Sequence, residues 1–191
     1  MAATTLSGSR RLLLVVVFLL ALFALFEALG IRAQFSLDAL QSLILMHPIL
    51  GLLLFTLVFA LGNLIQIPGW IFLAAAALAL GRLYGGIATY LAACASCLFT
   101  YFTIRAIGGD ALRELDNRLA RRLLAGLDRH PLWSIIALRM LFQTVPALNY
   151  ALALSGVRFR HYLLGTLLGL PLPIALYCLF FDYLAMLLNI G

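Results

Sequence analysis

The sequence predicts an all-α, polytopic membrane protein. Its expected architecture is a helical bundle with two opposed re-entrant hairpins in an inverted-repeat arrangement, plus a cytoplasmic amphipathic helix. Three observations predict it. The 191 residues are 65% hydrophobic, with a mean hydropathy of +1.11. Three long stretches carry no formal charge: Ala39–Gly81, Leu83–Ile104 and Tyr162–Phe181. Runs of about 20 apolar residues are what a bilayer crossing needs, whereas a membrane β-barrel would show short alternating segments. Finally, Pro-Gly and Pro interruptions fall inside two of the apolar segments, where broken backbone is tolerated only if protein or a wet cavity surrounds it.

All 13 basic residues are arginine, and the formal net charge is +6. In a soluble chain that balance would suggest nucleic acid. Here it reads as topology, because basic residues collect in cytoplasmic loops. Arg10 and Arg11 precede the first span, Arg113 to Arg129 occupy the one long polar segment, and Arg158 and Arg160 follow the second interrupted stretch. These three groups read as cytoplasmic, and the N-terminus with them. Residues 32–47, with one Arg and one Asp, read as an external linker.

The chain divides into residues 1–47, a first transmembrane helix (about Leu12 to Ile31) with its linker, and residues 48–191, the main membrane domain. No clean small-x-small site follows the first apolar run, so it reads as a retained span and not a cleaved signal. Pro48 suits the first position of a helix running to about Ile67. In GNLIQIPGW (62–70), Asn63, Gln66, Pro68 and Gly69 break that helix. A short helix then leads to a turn at Gly81–Gly86 and a full span from Leu83 to Arg105. Parity requires residues 48–84 to enter and leave by one face, with the hairpin proper at about 62–84. Gly108-Gly109-Asp110 should cap an amphipathic helix over about 110–128. Its leucine stripe is Leu112, Leu115, Leu119, Leu123 and Leu127, and Glu114 and Arg118 sit at i,i+4. Pro131 to Val157 again starts and ends on one side, so it reads as the second hairpin, with Pro146 at its apex. Residues 161–189, with Gly165, Gly169, Pro171 and Pro173, read as one kinked helix, two shorter ones being the alternative. LALGRLYGG (78–86) faintly echoes LALSGVRFR (152–160), each after a proline-centred break. That is the mark of inverted repeats, whose broken helices build a site near the midplane. The structural break residues are thus Pro68, Gly69, Pro146, Gly156, Gly169 and Pro171.

Arg139 is the leading site candidate, since a charge inside the membrane is costly, about 2.5–3.5 kcal/mol on insertion scales. Its structural alternative is a staple on hairpin carbonyls. Arg105, one turn beyond Tyr101, either binds substrate or anchors the span end. The amides Asn63, Gln66, Gln143 and Asn149 either satisfy freed backbone or line a polar path. Cys94 and Cys97 form a C-x-x-C in mid-span, where packing is the better reading than redox chemistry. No acid lies in either hairpin, and Glu27 and Asp182 sit near span ends. His47, His130 and His161 lack metal spacing, and no catalytic motif is present. The chain therefore reads as a non-enzyme without metal or cofactor.

These residues together resemble the DedA/VTT-domain superfamily, also called SNARE-associated Golgi protein-like, in its bacterial branch. The resemblance covers roughly Pro48 to Tyr183. It rests on IPG (67–69), LGRLYGG (80–86), the Tyr101–Arg105 pair, Gly108, Arg139, Pro146, Asn149-Tyr150, the SGV that follows, Tyr162 and TLLGLP (166–171). It implies opposed re-entrant hairpins, a bacterial inner-membrane location, and flipping or scrambling of phospholipid or undecaprenyl phosphate. Arg105 and Arg139 match its basic positions. The family commonly carries Glu just after Pro-Gly, where this chain has Trp70, so carboxylate-based proton coupling is not expected. The expected substrate set is Arg139, Arg105, Asn149, Gln143, Asn63, Gln66 and Tyr101. The expected partners are anionic membrane lipids, with no nucleic acid, and the small residues of the third span permit a homo-oligomer. The alternatives are a small-solute or oxyanion transporter, or a structural membrane-assembly protein.

Overall fold

The computed structural model describes residues 8–28, 42, 46–115 and 117–187. Most of the expected external linker, and the side chains of Leu119 and Asp182, lie outside the described residues. All regular structure among the described residues is helical. In chain order the helices are α1 (Gly8–Ala28), α2 (Pro48–Leu64), α3 (Gly69–Gly108), a 3₁₀ turn (Ala111–Glu114), α4 (Arg118–Arg129), α5 (Pro131–Phe142), α6 (Pro146–Leu154), α7 (Phe159–Gly169) and α8 (Pro171–Leu187). Gly8–Leu25, Gly69–Gly108 and Phe159–Phe181 are long and apolar enough to cross a membrane.

Two helix–break–helix units share one backbone punctuation. Each opens on His-Pro, with His47 and His130 in nearly the same N-cap conformation (φ −135, ψ 76 and φ −142, ψ 73). Each first limb ends at a glutamine with positive φ, Gln66 at 74° and Gln143 at 50°. A proline follows within three residues, and the second limb starts at or beside it: Pro68 immediately precedes α3, and Pro146 opens α6. Each second limb ends at a glycine with positive φ, Gly81 at 78° and Gly156 at 75°. Proline removes a donor that an N-terminus leaves unsatisfied anyway, and glycine adopts positive φ without a Cβ clash. The expected internal echo thus extends to the backbone. At 1.5 Å per residue, α2, α5 and α6 are about 25, 18 and 14 Å long, each short of the roughly 30 Å hydrocarbon core.

Several elements fall differently from what the sequence predicts. The turn after the first break is Gly81 alone, and helix resumes at once over 82–108, about 40 Å. The chain doubles back there so tightly that a side chain on Gly85 would overlap the carbonyl oxygen of Ala76. In the second unit, Gln143–Val145 form the apex, and Pro146 starts the returning limb. Residues 110–128 do not form one amphipathic helix. A 3₁₀ turn ends at Glu114, and α4 begins at Arg118. The i,i+4 pairing is therefore lost, and Glu114 lies 3.8 Å from Arg11 instead. Asp110 makes no capping hydrogen bond; its carboxylate pairs with Arg105 at 3.1 Å. The buried side of α4 is Ala120, Leu124 and Leu127, and its Gly126 carbonyl accepts from Ser134 of α5 at 2.8 Å. The last segment is one path kinked at Leu170, between α7 and α8.

Packing follows small residues. Helix α2 lies along α3, α8 also packs on α3, α5 packs on α7, and α6 rests chiefly on α3 and the 3₁₀ turn. Gly165 and Gly169 let α7 press against α5: a Cβ on either would sit 2.6 Å from Ile135 or from Arg139 Cβ. In lipid there is no hydrophobic drive between helices, so such close approach and interhelical hydrogen bonds hold the bundle. Two of the arginine groups predicted for one side come together, where Arg11 meets Glu114 beside the Arg113–Asp128 pair.

Candidate functional site

The two breaks meet in the interior. Arg139, on the last turn of α5, is fully buried. The glycine ladder of α7 draws α5 close at this point, leaving the arginine no route outward for snorkelling. Its Nη1 donates to the carbonyl of Gln143 at 3.0 Å and to Asn149 Oδ1. Its Nη2 donates to the Tyr162 hydroxyl at 3.0 Å, and the guanidinium lies 5.4 Å from that ring's centroid. No carboxylate pairs with Arg139 among the described residues, and its Nε is buried without a hydrogen-bond partner. A lone buried charge is normally paired; here amide, carbonyl, hydroxyl and ring face substitute for a counter-ion.

The network then crosses to the first break. Asn149 Nδ2 donates to Asn63 Oδ1 at 2.9 Å, and Asn63 Nδ2 donates to the Thr144 carbonyl at 3.0 Å. Tyr150 donates to the Leu64 carbonyl at 2.6 Å. Gly69 offers the space that Thr144 occupies. These bonds serve carbonyls freed by the breaks, as buried backbone requires. The Tyr162 hydroxyl in turn donates a hydrogen bond to the Cys97 carbonyl at 2.8 Å, and Cys97 Sγ lies 3.6 Å from Asn149 Oδ1. Cys94 and Cys97 are buried, unbridged and packed, as expected of that mid-span pair.

A second cluster sits where α3 and α6 end. Tyr101 donates to the Val157 carbonyl at 2.9 Å, and Arg105 to the same oxygen at 3.3 Å while pairing with Asp110. Arg113 donates through Nε to the Ser155 carbonyl at 2.7 Å and forks onto Asp128 at 2.6 and 3.1 Å. That fork holds the Asp128 carboxyl below its ordinary range. The clusters touch through the stacked rings of Tyr101 and Tyr162, 4.5 Å apart.

Of the predicted residues, Arg139, Asn149, Asn63 and Gln143 converge, the last through its carbonyl, while its amide nitrogen is buried without a partner. Arg105 and Tyr101 form the second cluster. Gln66 meets the first network only at its edge, by a side-chain hydrogen bond with Tyr150; it is otherwise exposed, beside Val16, Leu19, Leu20 and Phe23 of α1. The site roles of Tyr162, Thr144, Asp110 and Asp128 were missed. Tyr162 had a signal: it shares the helix face of Gly165 and Gly169, an aromatic hydroxyl above a stripe made for close approach. Thr144 had none, because its partner Asn63 is 81 residues away; the carboxylates of Asp110 and Asp128 were hidden by the expectation of one continuous helix over 110–128.

Long apolar helices around interrupted ones, with a hydrogen-bonded polar core, define a helical membrane protein. The chain belongs to the VTT domain family, whose pattern residues 67–183 match. Membership carries a transporter-like function with it. Neither a curated protein nor a solved structure matched the chain.

Proposed function

We propose that this protein carries anionic lipids, phospholipid or polyprenyl phosphate, across the bilayer without carboxylate-borne proton coupling, and that it has no enzymatic activity. The observation that carries the reading is Arg139: a buried guanidinium with no acid partner among the described residues, held where two helix breaks meet. A guanidinium presents forked donors suited to a phosphate. The surrounding amides offer a polar lane through hydrocarbon. Trp70, half-exposed at the position after Pro68-Gly69, leaves no carboxylate there to bind a proton. In this reading the arginine-rich end and the N-terminus face the cytoplasm, and residues 48–81 and 131–156 are opposed re-entrant hairpins of a bacterial inner-membrane protein.

The test is lipid translocation in proteoliposomes. Fluorescent phospholipids report through dithionite bleaching, with Arg139→Lys alongside as a variant that keeps the charge and loses the fork. Bleaching beyond the outer-leaflet fraction, lost in the variant at normal expression, supports the reading. Wild-type bleaching at the protein-free baseline ends it for general phospholipids, and polyprenyl phosphate and inorganic oxyanion uptake are then measured. A second reading, Arg139 as a structural staple, draws on its three bonds across α5, α6 and α7. Unfolding of Arg139→Lys favours that one.

A further inference from the structure

Arg139 is fully buried, so any anion that meets it does so only after part of the protein moves. We infer that α6 is the moving part, a strap over Arg139 that the Asp128–Arg113–Ser155 clasp holds shut. The inference deepens the transport reading and rests on it for the purpose of the movement, not for its existence.

Helix α6 covers the guanidinium directly: Asn149 supplies one acceptor, and the break leading into α6 supplies another at Gln143. It is bounded on both sides by positive-φ residues, Gln143 and Gly156, where a small change in backbone torsion redirects a whole helix. Its packing is mainly on α3 and the 3₁₀ turn. That packing is apolar, through Leu152, Ala153 and Leu154, and acyl chains can replace it at little cost inside a bilayer. What distinguishes the closed position is therefore the polar bonds at its two ends. At the inner end these are Asn149 to Asn63 and Tyr150 to Leu64. At the outer end Arg113 holds the carbonyl of Ser155, and Tyr101 and Arg105 together hold that of Val157. The Arg113 bond can be released from the surface. Arg113 is itself held in line by its two bonds to Asp128, whose side chain is 55% exposed. A mobile strap over a buried site is the low-stability element such a site needs.

The protein carries its own reporter. Cys97 is fully buried and lies against Asn149, so lifting α6 uncovers it. Cys94 on the same helix and Cys178 on α8 are also buried and monitor general loosening. The full-length protein in detergent micelles is treated with N-ethylmaleimide, and mass spectrometry follows modification of each cysteine. The surface variant Asp128→Asn removes the fork's charge and should speed Cys97 labelling by about two- to threefold, leaving Cys94 and Cys178 unchanged. Glu114→Gln, which touches only the Arg11 pair among the contacts described, should change none of them. Unchanged Cys97 labelling in Asp128→Asn overturns the strap. An equal rise at all three cysteines overturns it too, since the whole bundle then loosens. The assay contains no transported lipid. A protein that labels as expected but translocates nothing keeps the strap and loses the transport reading.

Discussion

The units at residues 48–81 and 131–156 have the same backbone grammar and opposite chemistry. The first is almost wholly apolar and contributes one buried amide, Asn63. Its limbs pack closely along each other, with Gly62 under Phe72. The second carries Arg139, Gln143, Thr144 and Asn149, and its limbs lean on different neighbours, α5 on α7 and α6 on α3. A repeated break can therefore serve two tasks. One copy closes on itself and offers a surface; the other stays splayed because polar groups in its fork hold it to the rest of the bundle.

The sharpest way to break this asymmetry is to remove the charge. Arg139→Ala deletes three hydrogen bonds, each worth about 0.6 and at most about 1.7 kcal/mol in membrane helices. The expected loss is about 2 kcal/mol or more, visible as a lower unfolding midpoint in detergent. No single polar change in the first unit should match it.

Next comes the bond between the units. Asn149→Ala frees an arginine donor as well as Asn63, so it should cost more than Asn63→Ala. A double-mutant cycle should give a coupling of about 0.5–1.5 kcal/mol. Strict additivity would mean that the breaks do not support each other.

A smaller effect probes the shared grammar. Gln66 and Gln143 both hold positive φ, which costs a non-glycine residue about 1–2 kcal/mol. Gln66→Gly, at an exposed position, should stabilise by about 0.5–1 kcal/mol after the added freedom of the unfolded chain is subtracted. Gln143→Gly should gain less, because it also removes a side chain packed in the fork. Equal gains at both positions would erase the proposed difference.

The smallest effect is electrostatic. Arg113 lowers the Asp128 carboxyl below its ordinary 3.8, so the pair's contribution is fully present above that value and fades as pH falls through the lowered one. Asp110 also faces Arg113 and takes over part of the pairing. The unfolding midpoints of wild type and Asp128→Asn should differ slightly at neutral pH and converge only below the ordinary carboxylate range. Convergence near pH 7 would refute the pairing.

Much of this was legible along the chain. Uncharged length marked the spans, Pro48 marked a helix start, Pro68 and Pro146 marked breaks, and an arginine in an apolar run marked the centre of the buried polar network. The apex of the second unit was misplaced because proline is a louder signal than Gln143, yet proline more readily begins a helix than forms the bend before it. The long amphipathic helix failed because leucine periodicity at 112–127 ignores Asp110, whose carboxylate goes to Arg105, and the 3₁₀ turn that follows.

By itself, then, the sequence determined that the chain is helical, membrane-bound and interrupted, because hydropathy, proline and glycine act locally on the backbone. Only tertiary structure decided which polar groups complete one another. Asn63 and Asn149 are 86 residues apart, and Tyr162 reaches Cys97 across 65. In hydrocarbon a polar group takes whatever partner folding brings within 3 Å, and no local rule along the chain encodes that choice.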